Sequence, residues 1–80
     1  MKLKLERKFL KKLEKIDRKN QTRILAKLKM LKEGKRVDLV KLAGFDNIYR
    51  LRVGNFRVKI YMDKNEAIVF DLESRGRAYR

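Results

Sequence analysis

The stretch "YRLRVGNFRVKIYM", residues 49–62, constrains the fold more than any other part of the chain. Tyr49, Leu51 and Val53 fall at every second position before Gly54-Asn55, and Phe56, Val58, Ile60 and Met62 do so after it. Strict alternation sends successive side chains to opposite faces of an extended strand. Gly-Asn between two such runs is a two-residue hairpin signal. The expectation is a hairpin with one face in a core. Its other face carries Arg50, Arg52, Arg57, Lys59 and Tyr61, with four cations and no anion. Paired in register, these five side chains form one patch.

The remaining segments supply what this hairpin packs against. "KLKL" at residues 2–5 reads as a short first strand. From about 6 to 17, Phe9, Leu10, Leu13 and Ile16 recur at helical spacing. "DRKNQ" is a polar break that offers Asp and Asn as helix caps. A second helix is expected over roughly 20–33, with Ile24, Leu25, Leu28 and Leu31 as its stripe and Gly34 as its terminating glycine. So short a link makes an antiparallel αα-hairpin. Residues 35–47 read as irregular, with Val37, Leu39, Val40 and Leu42 packing locally. "DKNE" at 63–66 is a second tight turn, and "AIVFDLE" is the last strand, with Ile68, Phe70 and Leu72 expected on one face. The result is one α+β domain over residues 1–80, ordered β-α-α-β-β-β, with an αα-hairpin packed on an antiparallel sheet.

Charge narrows the class of partner. The 80 residues hold 24 Lys+Arg against 10 Asp+Glu, a formal net charge of +14. So basic a chain repels itself unless a polyanion is near. Nucleic acid is the first candidate, an acidic protein the second and an anionic membrane surface the third. The hydrophobic fraction of 44% is well patterned, which excludes a disordered basic tail. The cations also divide by type. Residues 1–41 hold 12 Lys and 4 Arg, while residues 43–80 hold 6 Arg and 2 Lys. Lysine is a hydrated point charge, whereas arginine is a planar fork that grips phosphate in two places. The second half is therefore where anions are held in a defined geometry. With no cysteine, no membrane-length apolar run and no apolar stretch behind "MKLKLERKF", the expectation is a cytoplasmic protein without a signal peptide.

The inventory excludes much chemistry. There is no His and no Cys, which removes the commonest general base, thiol nucleophiles and most transition-metal sites. Asp71 and Glu73 stand two apart on the last strand. They are read as offsetting neighbouring cations rather than as a Mg²⁺ site, which would lack further ligands. No metal and no cofactor is expected. What remains is Arg, Lys and Tyr: the hairpin set, and Arg75, Arg77 and Tyr79 at alternate positions of the tail. Such a set can clamp a phosphate, spread charge over a phosphorane and stack a base on a phenol. It fits RNA cleavage without metal, by attack of the ribose 2′-OH on the adjacent phosphorus. The proton acceptor stays open, because arginine is effectively always protonated and unperturbed Lys and Tyr titrate near ~10. Against this stands the solubilising or edge-blocking role that a basic strand face serves on its own.

The stretches "KLAGFDNIYRLRVGNFRVKIYMD" and "VFDLESRGRAYR" resemble the RelE toxins of RelE/ParE-type toxin–antitoxin systems, and the resemblance spans nearly the whole chain. "KLAG", "YRLRVGNFRV" and "RGRAYR" are its most specific parts. The resemblance implies the type II toxin of a RelB-like antitoxin, an endoribonuclease that cuts mRNA in the ribosomal A site and so inhibits translation. The toxin–antitoxin complex is expected to be a higher oligomer and the free toxin a monomer, with no membrane partner. Arg50 and Arg52 match two basic positions of the strand, and Arg57 matches an arginine contacting phosphate and transition state. Arg75 matches the tail arginine that assists the leaving group, with Arg77 a competing match, and Tyr79 matches the tyrosine that stacks on or orients the mRNA. The implied catalytic set is Arg52, Arg57, Arg75 and Tyr79, with Arg50, Lys59, Tyr61 and Arg77 binding RNA. The chain departs from some members in carrying arginines where they have lysines at 50 and 52. It is also expected to lack their extra C-terminal helix, and its "DLE" is more acidic. Lys59 and Tyr61 are the nearby substitutes for the base. Two other readings stay open: a ParE-like poison of a DNA topoisomerase, and a non-catalytic RNA-binding module.

Overall fold

A computed structural model describes residues 1–74. The expected hairpin sits near the middle of the sheet. β3 (Ile48–Val53) and β4 (Phe56–Met62) pair antiparallel, with Val53 opposite Phe56 and Arg52 opposite Arg57. The turn requires its glycine. Gly54 has φ +59°, and among the described residues only Asn47 has positive φ without being glycine. Positive φ at the first turn position alone is the type II′ pattern, whose twist matches that of the strands.

The helices arise as the stripes dictate, with shifted ends. α1 (Arg7–Leu13) buries Phe9 and Leu13. It stops earlier than the expected residue 17 because its last turn tightens. Lys15 N–H donates to Lys12 C=O at 3.2 Å and Ile16 N–H to Leu13 C=O at 3.0 Å, which still carries Ile16 into the core. α2 (Arg18–Lys32) starts earlier than expected, because Asp17 accepts from Asn20 N–H and caps it. At its end Gly34 takes φ +77°. The N–H of Gly34 donates to Leu31 C=O and that of Lys35 to Met30 C=O, the paired bonds of a Schellman motif. Leu10 and Leu25 depart from their stripes and stay 42% and 41% exposed.

The α+β class and the order of the expected elements hold, on a sheet that is richer than expected. β1 (Lys2–Leu5) pairs parallel with β5 (Glu66–Ser74), and β2 (Leu39–Lys41) forms inside the segment expected to be irregular. The five strands order as β1-β5-β4-β3-β2, so the sheet is mixed. Both helices pack on one face, α1 against β5 and α2 against β3. The core between the layers includes Phe9, Ile24, Leu28, Leu51, Val58, Ile60, Val69 and Leu72, each at most 1% exposed.

The last strand corrects the expected face. Ala67, Val69 and Leu72 are buried, while Ile68 and Phe70 are half-buried on the opposite side. The cause is a β-bulge. Ile60 pairs with Val69 but Lys59 pairs with Asp71, so Phe70 is an extra residue. The bulge flips the parity and returns Leu72 to the core, and Asp71 beside it meets two lysines of α1. Oδ1 of Asp71 accepts from Leu72 N–H at 2.8 Å and from Lys12 Nζ at 2.7 Å, and Lys8 Nζ lies 3.6 Å from Oδ2. Burial pushes the Asp71 carboxyl up, but the Lys12 hydrogen bond, the Leu72 N–H and the two ammonium charges outweigh it and hold it below its ordinary value.

Candidate nucleic-acid interface

The face of the sheet opposite the helices carries the candidate site. Strand alternation places Arg50 and Arg52 of β3, and Arg57, Lys59 and Tyr61 of β4, on this face. Arg52 lies directly across from Arg57, Arg50 across from Lys59, and Ile48 across from Tyr61. Like charges directly opposite one another destabilise a strand pair. The hairpin therefore keeps two cation pairs that packing alone would select against.

Two of the four cations are neutralised. Arg52 Nε donates to Asp38 Oδ2 at 2.8 Å, and its backbone N–H donates to Asp38 C=O at 3.0 Å. Lys59 Nζ lies 3.1 Å from Glu73 Oε2. Arg50 and Arg57 have no carboxylate partner among the described residues. Asp71 and Glu73 thus act as the sequence suggests, each answering lysines. They answer different elements, Asp71 the lysines of α1 and Glu73 Lys59 of β4.

The arginines converge. Arg50, Arg52 and Arg57 line a small cleft of about 50 Å³ at the hairpin end, together with Gly54 and Asn55. A backbone turn, a side-chain amide and guanidinium forks around one cleft suit a phosphate group, which accepts from several donors at once. One contributor, Asn55, stood in the sequence only as a turn residue. Arg23 of α2, unmarked in the sequence, approaches the same turn without lining the cleft. The Arg23 guanidinium lies against Gly54, so that a Cβ there would meet its terminal nitrogens at 3.2 and 3.3 Å. Its placement depends on a helix-to-hairpin approach that no local pattern encodes. Asp38, the partner of Arg52, was likewise hidden by its 14-residue separation.

Farther along the same face the character changes. Leu42, Phe45, Ile48 and Phe70 line an apolar pocket of about 330 Å³, with Lys59 at its wall. Tyr61 neighbours it through its pairing with Ile48 and Ile68. Tyr49 points the other way, half-buried on the side of Leu51 and Val53, as its parity requires. Arg75, Arg77 and Tyr79 lie outside the described residues. Among the described residues no group of three or more potential ligands could hold a metal ion, and no helix is long and apolar enough to cross a membrane.

No protein-family model matches the sequence, and no curated protein matches it. Solved structures do match its fold. A RelB–RelE antitoxin–toxin complex from Methanococcus jannaschii contains a chain that is 23% identical, with a TM-score of 0.78, over 89% of this chain and 88% of that one. An archaeal RelE–RelB complex from Pyrococcus horikoshii matches at 25% identity and a TM-score of 0.78, covering 96% and 97%. The RelBE toxin–antitoxin complex of E. coli matches at 18% identity and a TM-score of 0.77, covering 95% and 98%. In fold, the chain belongs with the RelE-type toxins.

Proposed function

We propose that this protein is the toxin of a RelB-like antitoxin and acts as a ribosome-dependent endoribonuclease, cutting mRNA in the A site. The observation that carries this reading is the pair Arg50 and Arg57, which no carboxylate among the described residues neutralises, on the open face of a RelE-type fold. A cation without a carboxylate beside it is available to a phosphate. In the proposed reaction the ribose 2′-oxygen bonds to the adjacent phosphorus as its proton passes to a base. The bond from phosphorus to the 5′-oxygen then breaks, and that oxygen takes up a proton. The products are a 2′,3′-cyclic phosphate and a 5′-hydroxyl. Arg57 and Arg50 offset the charge that builds on the phosphorane oxygens. Arg52, held by Asp38, frames the cleft, while Lys59 and Tyr61 line the path of the strand. The tail residues Arg75, Arg77 and Tyr79 complete the proposed set, in leaving-group assistance and base stacking.

The ribosome supplies orientation that so small a set of side chains lacks. Docking on ribosomal RNA gives the +14 charge its purpose. The same charge suits an antitoxin that presents acidic residues, and silencing by that partner in the cytoplasm completes the reading. One observation favours a second reading, a non-catalytic RNA-binding module. Lys59, a substitute for the base, is engaged by Glu73.

Primer extension on stalled ribosomes with an empty A site and defined mRNA separates the two. Wild-type protein is expected to produce new 5′ ends within the A-site codon, and Arg57→Ala to lower the cleavage rate by at least a hundredfold, about 3 kcal/mol of transition-state stabilisation. Bound wild-type protein that leaves the mRNA intact would overturn the endonuclease reading and favour the module.

A further inference from the structure

Beside the cation cleft, the open face of the sheet holds an apolar pocket that the proposed chemistry leaves unused. We propose that this pocket, formed by Phe45, Phe70, Ile48, Leu42 and Lys59, is a nucleobase subsite. It takes an unstacked base of the same RNA strand whose phosphate Arg50 and Arg57 hold. The inference rests on the RNA reading above and adds to it where a base goes.

Phe45 is the first observation. It is 61% exposed, more than any other large hydrophobic residue described. Burial of such a side chain stabilises a fold by roughly 1.5–3 kcal/mol, which this position forgoes. Nor is Phe45 on a slack loop. Gly44 at φ +83° and Asn47 at φ +65° set the backbone on either side of it. Leu42 N–H donates to Ile48 C=O at 2.9 Å, and Met62 N–H to Asn47 C=O at 2.8 Å, tying the loop to the sheet. The ring is presented in place.

The second observation is continuity. Lys59 walls the pocket and also stands opposite Arg50 in the cation row, so the two subsites share a side chain. Arg57 lies two residues along the same strand, roughly 7 Å away at 3.3 Å per residue, within reach of a single nucleotide. The third is Phe70, which lies half-buried on this face at the bulge and adds a second ring to the pocket. RNA is bound in single strands by stacking bases on aromatic rings while cations follow the backbone. A pocket with two phenylalanines, a cationic wall and no acidic lining residue among the described residues fits that ligand. An acidic protein segment would match the cations but has no need of flat rings.

The test uses the full chain and a six-nucleotide RNA with 2′-fluoro in place of every 2′-OH, so that it cannot be cut. One base is 2-aminopurine, whose fluorescence falls on stacking. A matched strand lacks that base but keeps every phosphate. Wild-type protein is expected to quench the probe and to bind the intact strand about tenfold tighter than the abasic one, within the range reported for one stacked base. Phe45→Ala removes both the quench and the tenfold preference and leaves the salt dependence unchanged, because no charge is lost. Phe45→Leu, which keeps an apolar group but no ring, removes the quench as well. The exposure of Phe45 predicts an unchanged thermal melt for both variants. If Phe45→Ala binds both strands as wild type does while Arg57→Ala weakens both, the base subsite is overturned and the phosphate site stands. If Arg57→Ala also leaves binding unchanged, the RNA reading itself fails. Loss of antitoxin binding or of self-association in Phe45→Ala, with RNA binding intact, overturns the subsite in favour of a protein occupant.

Discussion

Arg50, Arg52, Arg57 and Lys59 look equivalent in the sequence, as four cations at alternate positions of one hairpin face. Their shared face was legible because period two and the Gly54-Asn55 turn fix the register between adjacent strands. Their different states were not, because neutralisation depends on Asp38 and Glu73, which meet them only in three dimensions. The same separation hid the role of Asp71, whose partners sit on α1. Lys12 Nζ to Asp71 Oδ1 is the part-buried ion pair of the layer interface. Its carboxyl is held below the ordinary value in the folded state. A depressed folded-state pKa means that the pair contributes fully above the unfolded value near ~3.9 and is lost as pH falls through the folded one. Asp71→Ala removes this carboxylate from Lys12 and is expected to lower stability at pH 7 by about 1–2 kcal/mol, less than a fully buried pair because Lys12 is partly solvated. Urea melts should show the difference between wild type and variant shrinking as pH falls below 4. A difference that stays constant down to pH 2 would show that packing, and not charge, is what the substitution removes.

Among the elements, legibility followed regularity. The helices were readable from Phe9, Leu13, Ile24, Leu28 and Leu31, and their ends moved only where Asp17 and a tightened turn intervened. β2 was invisible because three residues, Leu39–Lys41, cannot display a period. The partner of β1 was invisible because a parallel pairing across the whole chain leaves no local mark. β5 was seen as a strand but given the wrong face, since a template of period two has no room for an inserted residue. The bulge can be tested by removing it. Deletion of Phe70 leaves Ala67, Val69 and Leu72 on one face of a regular strand and turns Asp71 away from Lys12. The variant should fold, with stability lower by roughly 1–3 kcal/mol from the lost pair and the lost half-buried ring. Adding Asp71→Ala to the deletion should then cost almost nothing further, because the interaction is already gone. Additive losses in a double-mutant cycle would mean that Asp71 reaches α1 without the bulge.

For the whole molecule, the division between a lysine-rich half and an arginine-rich half becomes a division of labour between body and cleft. The sequence showed this asymmetry directly, since charge and side-chain type need no fold to be counted. It did not show that the open face splits into a cation cleft and an apolar pocket, because Leu42, Phe45, Ile48 and Phe70 come from separate segments. The cleft and the body should separate in salt titrations of single-stranded RNA binding. Each phosphate contact to a single strand contributes about 0.7 to the slope of log affinity against log salt. Arg57→Ala and Arg50→Ala should each flatten that slope by about 0.7. Asp38→Ala frees Arg52 from its carboxylate and should steepen the slope by about as much. Lysines of α2 such as Lys27 and Lys29 face solvent on the other layer. Their change to Gln should slow association at low salt while leaving the slope contributed by the cleft in place. Equal effects from Lys27 and Arg57 would mean that the RNA reads only the total charge and that the arginine cleft has no special place in binding.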